Sequence, residues 1–246
     1  MNLRYVITKI KDKTLREKVN ELLQDPRIRI GDTVYEGLPL RISPASKGRH
    51  HSYEGGLIQH ILSSSTIGLV LCDVVERIYH AKVDRDTVLA AIITHDLMKP
   101  VTYCFKQDGG VNTSQVGEQL DHLTLVVSEL IRRGFPLNVV HAVAAHHGKD
   151  SPVSPHTIEA LICFLADSTD ATLNGEVLNA ARYLVSRYVG EEATQLNADE
   201  AFSIVNMKQS HGYAGIKSLL EEIKLKRETR RAPSRHNQSN HETIHP

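Results

Sequence analysis

Residues 55–79 constrain the fold of this chain more than any other segment. Their apolar side chains recur every three or four positions, which is the period of a helix with a broad apolar face. Such a face is stable only when other helices cover it, so the segment predicts a core helix in a helical body. The residues that define the face are Leu57, Ile61, Ile67, Val70, Leu71, Val74, Val75 and Ile78.

Helical periodicity recurs on both sides of this segment, whereas strand signals are scarce. Residues 101–113 alternate around a turn, Asp108-Gly109-Gly110, and predict one small β-hairpin. Asp84 is placed to cap one helix, and Ser154-Pro155 is placed to begin another. The segments with a helical period are 13–24, 84–98, 118–133, 136–146, 154–170, 176–188, 199–208 and 216–227. The apolar residues expected to face inward from the 154–170 helix are Ile158, Leu161, Ile162 and Leu165.

These segments predict one all-α body without a linker that divides it. Residues 1–49 are expected to hold an N-terminal helix and, over residues 27–49, a long loop that wraps the body. Residues 50–227 form the body. Residues 228–246 contain almost no apolar side chain and predict a disordered C-terminal tail.

The charge balance and the cysteines exclude some classes of protein. With 29 basic and 29 acidic residues the formal net charge is zero, which argues against a general nucleic-acid coat or a membrane-surface protein. The N-terminus lacks a signal-peptide pattern, and we expect no apolar run long enough to cross a bilayer. Cys72, Cys104 and Cys163 form no CxxC pair and predict a reducing, cytoplasmic setting.

Histidines and acids, mostly at the ends of predicted helices, indicate a metal centre. The pair His95-Asp96 closes an apolar run at residues 88–93, where a carboxylate can bridge two ions and the imidazole beside it can hold one. The candidates come from different helices, and a bundle can bring such residues to one point in its core. Mixed nitrogen and oxygen ligation favours Fe, Mn, Co, Ni or Zn over Mg or Ca. The candidate metal ligands are His60, His95, Asp96, His122, His146, His147 and Asp167.

Each of these residues has an ordinary role when it is taken alone. A single histidine such as His60 is more often a hydrogen-bonded core residue than a ligand, and His147 divides evenly between binding an ion and supporting a residue that does. Lys99 can also complement the dipole of a helix end. Asp170 is interpreted as a surface or capping residue. The joint arrangement therefore carries the metal hypothesis.

The order His…His-Asp…Asp, here His60, His95-Asp96 and Asp167, resembles the HD superfamily of metal-dependent phosphohydrolases. His122 and His146-His147 are similar to the additional histidines of its dinuclear members. The resemblance spans roughly residues 44–172 and implies an HD helical bundle that holds two divalent transition-metal ions, with Fe(II) or Mn(II) preferred. Gly56 stands where some members carry a glutamate for a third ion, so we expect two. Other matching segments are residues 50–60, 146–148 and 154–160.

The resemblance also implies a chemistry. The four residues of the His…His-Asp…Asp pattern would hold one ion, and Asp96 with the additional histidines would hold the other. A metal-bound hydroxide would attack a phosphodiester, with Lys99 facing the phosphate as a point charge. His51 is the candidate acid for the leaving oxygen, and Lys47 and His50 are candidate substrate contacts.

Two branches of the superfamily share these details. One contains bacterial 3′–5′ exoribonucleases with an N-terminal OB-type barrel, for which residues 1–49 are too few and too weakly strand-like. The other contains archaeal phosphodiesterases of methanopterin biosynthesis, which act on 7,8-dihydroneopterin 2′,3′-cyclic phosphate. Similarity to the second branch lies in the total length and in residues 43–47, 84–86 and 99–103.

We therefore expect a phosphodiesterase that hydrolyses a small cyclic phosphate to a monophosphate. The alternative enzyme is a 3′–5′ exoribonuclease or nucleotidase, and the non-enzyme alternative is a metal-free signalling or RNA-binding module. The expected partner is the small-molecule substrate, without membrane or nucleic acid, and a homo-oligomer is compatible with the pattern. The 27–49 loop and the hairpin near Phe105 are expected to form the walls that select the base or pterin.

Overall fold

The computed structural model describes residues 2–106, 110–190 and 196–231, and it confirms the all-α class. Two antiparallel strand pairs and a 3₁₀ turn, Gly148–Asp150, accompany the helices. The helices are α1 (Leu3–Ile7), α2 (Lys13–Gln24), α3 (Gly56–Arg77), α4 (Arg85–Thr94), α5 (Lys99–Thr102), α6 (His122–Arg132), α7 (Leu137–Ala144), α8 (Ile158–Val189) and α9 (Ala198–Arg231). The strands are β1 (Ile28–Ile30), β2 (Thr33–Tyr35), β3 (Tyr103–Phe105) and β4 (Val111–Thr113).

Helix α4 lies at the centre of the fold. Every side chain from Thr87 to Thr94 is buried, because α2, α3, α7 and α8 all contact this helix. A helix that is apolar on all sides is stable only in such a position. Asp84 caps its N-terminus as predicted, since the Asp84 carboxylate accepts hydrogen bonds from the backbone N–H groups of Asp86 and Thr87.

Helix α3 packs against α4 and α8 on one side and is exposed on the other. Gly68 permits the close approach to α4, since a Cβ there would lie 2.4 Å from Cδ1 of Ile92. The predicted apolar face is wider than the buried one, because Val70, Val74 and Ile78 are exposed. By length and composition alone α3 could cross a membrane, so the expectation that no run is long enough was wrong, although α3 packs here as a helix of the body.

The predicted helix from Asp84 to Met98 is shorter than expected. Helix α4 ends at Thr94, and the backbone turns over the next four residues before α5 begins. Pro100 lies in the first turn of α5, where its missing N–H has no cost, rather than acting as the stop of α4. The turn separates His95 and Asp96 from regular helix and leaves both side chains buried.

The described residues form two hairpins where the sequence predicted one. The predicted pair is confirmed, with Tyr103 opposite Thr113 and Phe105 opposite Val111, although residues 107–109 of its turn lie outside the described residues. The second pair, β1–β2, lies inside the predicted 27–49 loop and closes over Gly31-Asp32, with Gly31 at φ +58°. A two-residue turn with a positive φ is typical of a hairpin. Strands of three residues show too little alternation to be recognised.

Helix α8 runs without a break where two helices were predicted. It begins at Ile158 because the Thr157 side chain accepts a hydrogen bond from the backbone N–H of Ala160, so the predicted start at Ser154-Pro155 was wrong. Small residues, including Ala160, Cys163 and Ala166, face the core and allow α8 to lie close to α3. The bulkier side chains therefore point outward, and the inward prediction holds for Ile162 but not for Ile158, Leu161 and Leu165.

The C-terminal region forms a second apolar cluster. Helix α9 packs against the second half of α8 and continues to Arg231, so the predicted tail is helical over residues 228–231, and residues 232–246 lie outside the described residues. The two predicted helices at 199–208 and 216–227 belong to this one element, which kinks at Gly212. The buried residues of this cluster include Leu178, Leu184, Ile204, Ile216 and Leu220.

Candidate metal centre

Four donor atoms from three helical regions meet in the core. The Nε2 atoms of His60 and His95 are 3.3 Å apart, and Asp167 Oδ1 lies 3.0 Å from the first and 3.7 Å from the second. Asp96 Oδ2 lies 3.5 Å from His60 Nε2 and 3.3 Å from His95 Nε2. Ligand atoms about 2.1 Å from a common ion lie roughly 3.0–3.4 Å apart at tetrahedral or octahedral angles. Three of the five spacings fall in this range, and the other two, 3.5 and 3.7 Å, lie slightly above it, so the four atoms could hold one ion.

The opposite ring nitrogens of the histidines fix the tautomer that such a shell needs. His60 Nδ1 lies 2.6 Å from Asp170 Oδ2, and His95 Nδ1 lies 2.7 Å from the carbonyl oxygen of Ile92. His146 Nδ1 lies 2.6 Å from the carbonyl oxygen of Val143. Each Nδ1–H can therefore donate outward, which leaves the Nε2 lone pair directed to the centre.

A second group of donors surrounds the other oxygen of Asp96. Asp96 Oδ1 lies 3.3 Å from His122 Nε2 and 3.9 Å from His146 Nε2. The His147 ring lies 3.9 Å from that of His146 and 5.3 Å from that of His122, between centroids. The donor atoms of these three histidines are mutually close enough to share one ion. Asp96 is thus placed between two groups of donors, as a bridging carboxylate must be.

Several of these donors are buried without a hydrogen bond. Asp96 Oδ1, His122 Nε2 and His146 Nε2 have no hydrogen-bond partner among the described residues. Buried polar atoms are nearly always satisfied, because an unsatisfied group costs about 1–3 kcal/mol. All three face the same point, so divalent ions fit this donor set and would satisfy it.

The pKa values divide the histidines into two groups. Burial lowers the pKa of His122 to about 4 and that of His146 well below its usual range, so both are neutral donors near pH 7. Burial opposes protonation of His60 and His95 as well, but Asp96 and Asp167 outweigh it and raise their pKa values, that of His95 to about 10. Ion binding at His60 and His95 would therefore release protons.

Lys99 contacts the same carboxylate from the side of the solvent-accessible cavity. Its Nζ lies 2.6 Å from Asp96 Oδ2, and the side chain is nearly buried. Burial would lower the pKa of Lys99, but the charge of Asp96 outweighs it, so the amine stays protonated. A permanent cation at the mouth of the shell can hold an anionic group beside it.

His50 and His51 lie beside His60, with their two rings nearly perpendicular, at 82° to each other. Their Nδ1 atoms are 3.3 Å apart, and the two ring centroids are 5.0 and 5.2 Å from that of His60. Burial lowers the pKa of both to about 3, so both are neutral near pH 7. Lys47 is engaged elsewhere, since its Nζ donates a hydrogen bond to Thr113 Oγ1 of β4 at 2.7 Å.

An unusual backbone holds His51 in place. His51 has φ +44°, a left-handed conformation that a residue with a Cβ rarely adopts. Its backbone N–H donates to Asn174 Oδ1 at 2.6 Å, and Asn174 Nδ2 donates to the Tyr53 hydroxyl at 3.1 Å. Gly56 is required beneath this turn, because a Cβ there would lie 2.1 Å from the His51 carbonyl oxygen.

Asp170 and Asn174 are the residues that sequence reasoning missed. Asp170 was interpreted as a surface or capping acid, and that was wrong, because it is 3% exposed and contacts His60. Its position three residues after Asp167, on the same side of one helix, was a usable signal. Asn174 carried no comparable signal, because its partner His51 lies 123 residues earlier.

An open cavity of about 810 Å³ leads to this centre. Helix α8 forms one wall, and residues 48–50 and 147–150 form the others. The predicted walls were wrong in large part, since only Gly48 and Arg49 of the 27–49 loop, and no described residue of the Phe105 hairpin, line it. Lys99, His147 and Asp167 lie at its inner end, so a ligand in the cavity would meet the donors.

Comparison with known proteins finds similarity over a large part of the chain. The HD domain model matches residues 57–172 of the chain. The chain is 44% identical over 165 residues, 67% of its length, to dihydroneopterin 2′,3′-cyclic phosphate phosphodiesterase of Methanocaldococcus jannaschii. It is 31% identical over 144 residues, 53% of its length, to 3′-5′ exoribonuclease YhaM of Bacillus subtilis.

These matches cover only part of each relative. They span 66% of the Methanocaldococcus protein and 43% of the Bacillus protein, so the chain covers less than two thirds of either. A YhaM protein from Oceanobacillus iheyensis is 30% identical over 184 residues, which is 69% of the chain and 54% of that protein. No solved structure matches the chain.

Proposed function

We propose that the protein is a metal-dependent phosphodiesterase with two divalent ions that share Asp96. The observation that carries this proposal is the pair of donor groups on the two oxygens of Asp96, at the inner end of an open cavity. His60, His95, Asp96 and Asp167 would hold one ion, and Asp96, His122, His146 and His147 would hold the other. Fe(II) or Mn(II) suits these mixed nitrogen and oxygen donors.

Divalent ions bound there would supply Lewis acidity and a water of lowered pKa. The protein's own groups do the remaining work. Lys99 would hold a phosphate oxygen, since its cation lies beside Asp96 and lines the cavity. His50 would contact the substrate, and His51, which is neutral near pH 7, would donate a hydrogen bond to the leaving oxygen while the proton itself comes from water. Lys47 can contact the substrate, as proposed, only if its Nζ gives up the hydrogen bond to Thr113.

The substrate we propose is 7,8-dihydroneopterin 2′,3′-cyclic phosphate, hydrolysed to a monophosphate in the pathway to methanopterin. Support comes from the 44% identity to the Methanocaldococcus phosphodiesterase, against 31% to the Bacillus exoribonuclease. The alternative remains a 3′–5′ exoribonuclease or nucleotidase. Residues 2–55, as described, contain one strand pair rather than the strands of an OB barrel for single-stranded RNA. A cytoplasmic location is part of the proposal.

The non-enzyme alternative, a metal-free signalling or RNA-binding module, is disfavoured by the donor set. A scaffold that had lost its ions would have little reason to keep three orphaned donor atoms around one point in its core.

The test is a substrate panel on protein purified without air and supplied with Fe(II) or Mn(II). Dihydroneopterin 2′,3′-cyclic phosphate, nucleoside 2′,3′-cyclic phosphates and a short RNA would be compared by product chromatography, with metal content measured in parallel. We expect about two ions per chain and the highest kcat/KM on the pterin. Preferential shortening of RNA would show that RNA, and not the pterin, is the substrate. Fewer than one ion per chain would contradict the proposed dinuclear site.

A further inference from the structure

One side of helix α8 extends the cavity outward from the metal centre. From Asp167 at the inner end, the lining residues recur every three or four positions, as they do on one face of a helix. Glu176 is nine residues beyond Asp167, which places it about 13 Å along the helix axis at about 1.5 Å per residue. This span is comparable with that of a mononucleotide. The lining residues of α8 beyond Asp167 are Ser168, Ala171, Thr172, Gly175, Glu176 and Asn179.

The floor of this outer part presents little side chain. Ala171 and Gly175 lie one turn apart on it, and the backbone of Arg49 contacts the helix at Gly175, 3.7 Å from where a Cβ would be. Phe164 lines the cavity at its other end, beside the turn at Gly148 and one turn before Asp167. A planar heterocycle could lie beside Ala171 with its edge directed along the helix toward Glu176.

Glu176 is the acidic group at the outer end of this floor. It is exposed to the cavity and the solvent, and no ion pair or hydrogen bond ties it to another described residue. The other lining acid that is not a proposed ligand is Asp150, three residues after His147 in sequence. Only Glu176 of these two stands at the distance of a base from a phosphate held beside Asp167.

We propose that Glu176 determines specificity by binding the 2-amino-4-oxo edge of a pterin or guanine ring. That edge presents a ring N–H and an exocyclic NH₂ side by side, and a carboxylate accepts both hydrogen bonds at once. Adenine and the pyrimidines lack this pair of donors, so they would leave the carboxylate unpaired on binding. The proposal rests on the proposed phosphodiesterase activity and adds the residue that chooses its substrate.

The test compares guanosine 2′,3′-cyclic phosphate with adenosine 2′,3′-cyclic phosphate on the metal-loaded enzyme. The wild type should prefer the guanosine substrate by at least about tenfold in kcat/KM, because a bidentate contact discriminates bases strongly. Glu176→Gln should remove most of that preference, chiefly through a higher KM for the guanosine and pterin substrates. Glu222→Gln, an exposed glutamate on α9, is the matched control and should keep the preference.

The outcomes separate this proposal from the one beneath it. Equal kcat/KM on the two nucleotides by an active wild type would overturn the role of Glu176 and leave the phosphodiesterase intact. Loss of the preference in Asp150→Asn but not in Glu176→Gln would also overturn it. A metal-loaded wild type that hydrolyses no 2′,3′-cyclic phosphate would overturn the proposed function itself.

Discussion

The two halves of helix α8 contact different parts of the protein. The first half, up to Thr172, lies within the HD match, packs against α3 and α4, and carries Asp167 and Asp170. The second half lies outside that match and packs against α9. It contacts the loop around His51, through Asn174 to the His51 backbone N–H and through Arg182 to the Ser52 hydroxyl and the Gly48 carbonyl oxygen.

This difference indicates how the site is kept in register. One continuous helix holds Asp167, a proposed metal ligand, in its first half and contacts the loop around His51 with its second half, so the two cannot shift independently. Residues that support a site from a rigid element position it better than residues on free loops. The first half of α8 would therefore govern ion binding, and the second half would govern how the substrate is placed.

Asp96→Asn is expected to have the largest effect. Asp96 lies between the two groups of donors, and one of these groups includes Asp167 from the first half of α8. An amide can supply one neutral oxygen but cannot bridge two cations as a carboxylate does, so kcat should fall by more than about 10³-fold. Helical circular dichroism should remain. Asp32→Asn, an exposed residue in the β1–β2 turn, is the control and should retain activity. Substantial turnover by Asp96→Asn would remove Asp96 from the bridging position.

Asp170→Asn tests whether the first half acts through an indirect contact. The carboxylate orients His60 and raises its basicity, so its loss should weaken metal binding by about 10–100-fold. Activity should return at high metal concentration, as measured by titration of the apoprotein with Mn(II). Asp73→Asn on α3, which is bound to Arg85 on the surface, is the matched control. Unchanged metal affinity would show that Asp170 only fills space.

Some of the proposed ligands are recognisable in the sequence for a physical reason. They are histidines or aspartates among apolar residues, where a charged or polar group is costly unless it is used. His60 and the pair His95-Asp96 therefore stand out in their helices without any knowledge of contacts.

The remaining features could not be predicted because they depend on distant contacts or on very short elements. Asn174 is an ordinary polar residue on a helix until the backbone of His51 meets it. The outward direction of Leu161 and Leu165 follows from the small residues that α8 uses against α3, and a count of apolar positions does not distinguish these two faces. The β1–β2 pair has three residues in each strand, too few to show a period.

The pH dependence of stability should arise near the metal centre and not in the α8–α9 cluster. Below pH 6.5 the unfolded chain protonates its histidines, whereas burial keeps the pKa of folded His50 and His51 at about 3 and that of His122 at about 4. The unfolded state then binds more protons, so the metal-free protein should lose stability as the pH falls from about 6.5 toward 3.

His60 and His95 do not reverse this loss of stability at low pH. Their raised folded pKa values mean that both are protonated in the folded and the unfolded state below pH 6.5, and their contribution is lost only as the pH rises. Urea unfolding in EDTA, followed by circular dichroism, should give a lower midpoint at pH 5 than at pH 7. His50, His51 and His122 lie near the metal centre and not in the α8–α9 cluster, so hydrogen exchange should show the loss of stability near the metal centre first. Equal midpoints would contradict the neutral state of these histidines.

Asn174→Ala is expected to have the smallest effect, and it tests the second half directly. Removing Oδ1 leaves the His51 backbone N–H without its acceptor in a buried place, which should lower the free energy of unfolding by about 1–3 kcal/mol. Because the loop above the metal centre loses its anchor, KM should rise while metal content stays the same. Asn174→Asp keeps an acceptor and should restore part of the loss, and Asn138→Ala, an exposed residue on α7, should change neither quantity. A normal KM in a destabilised Asn174→Ala would mean that the second half of α8 supports the fold alone and does not place the substrate.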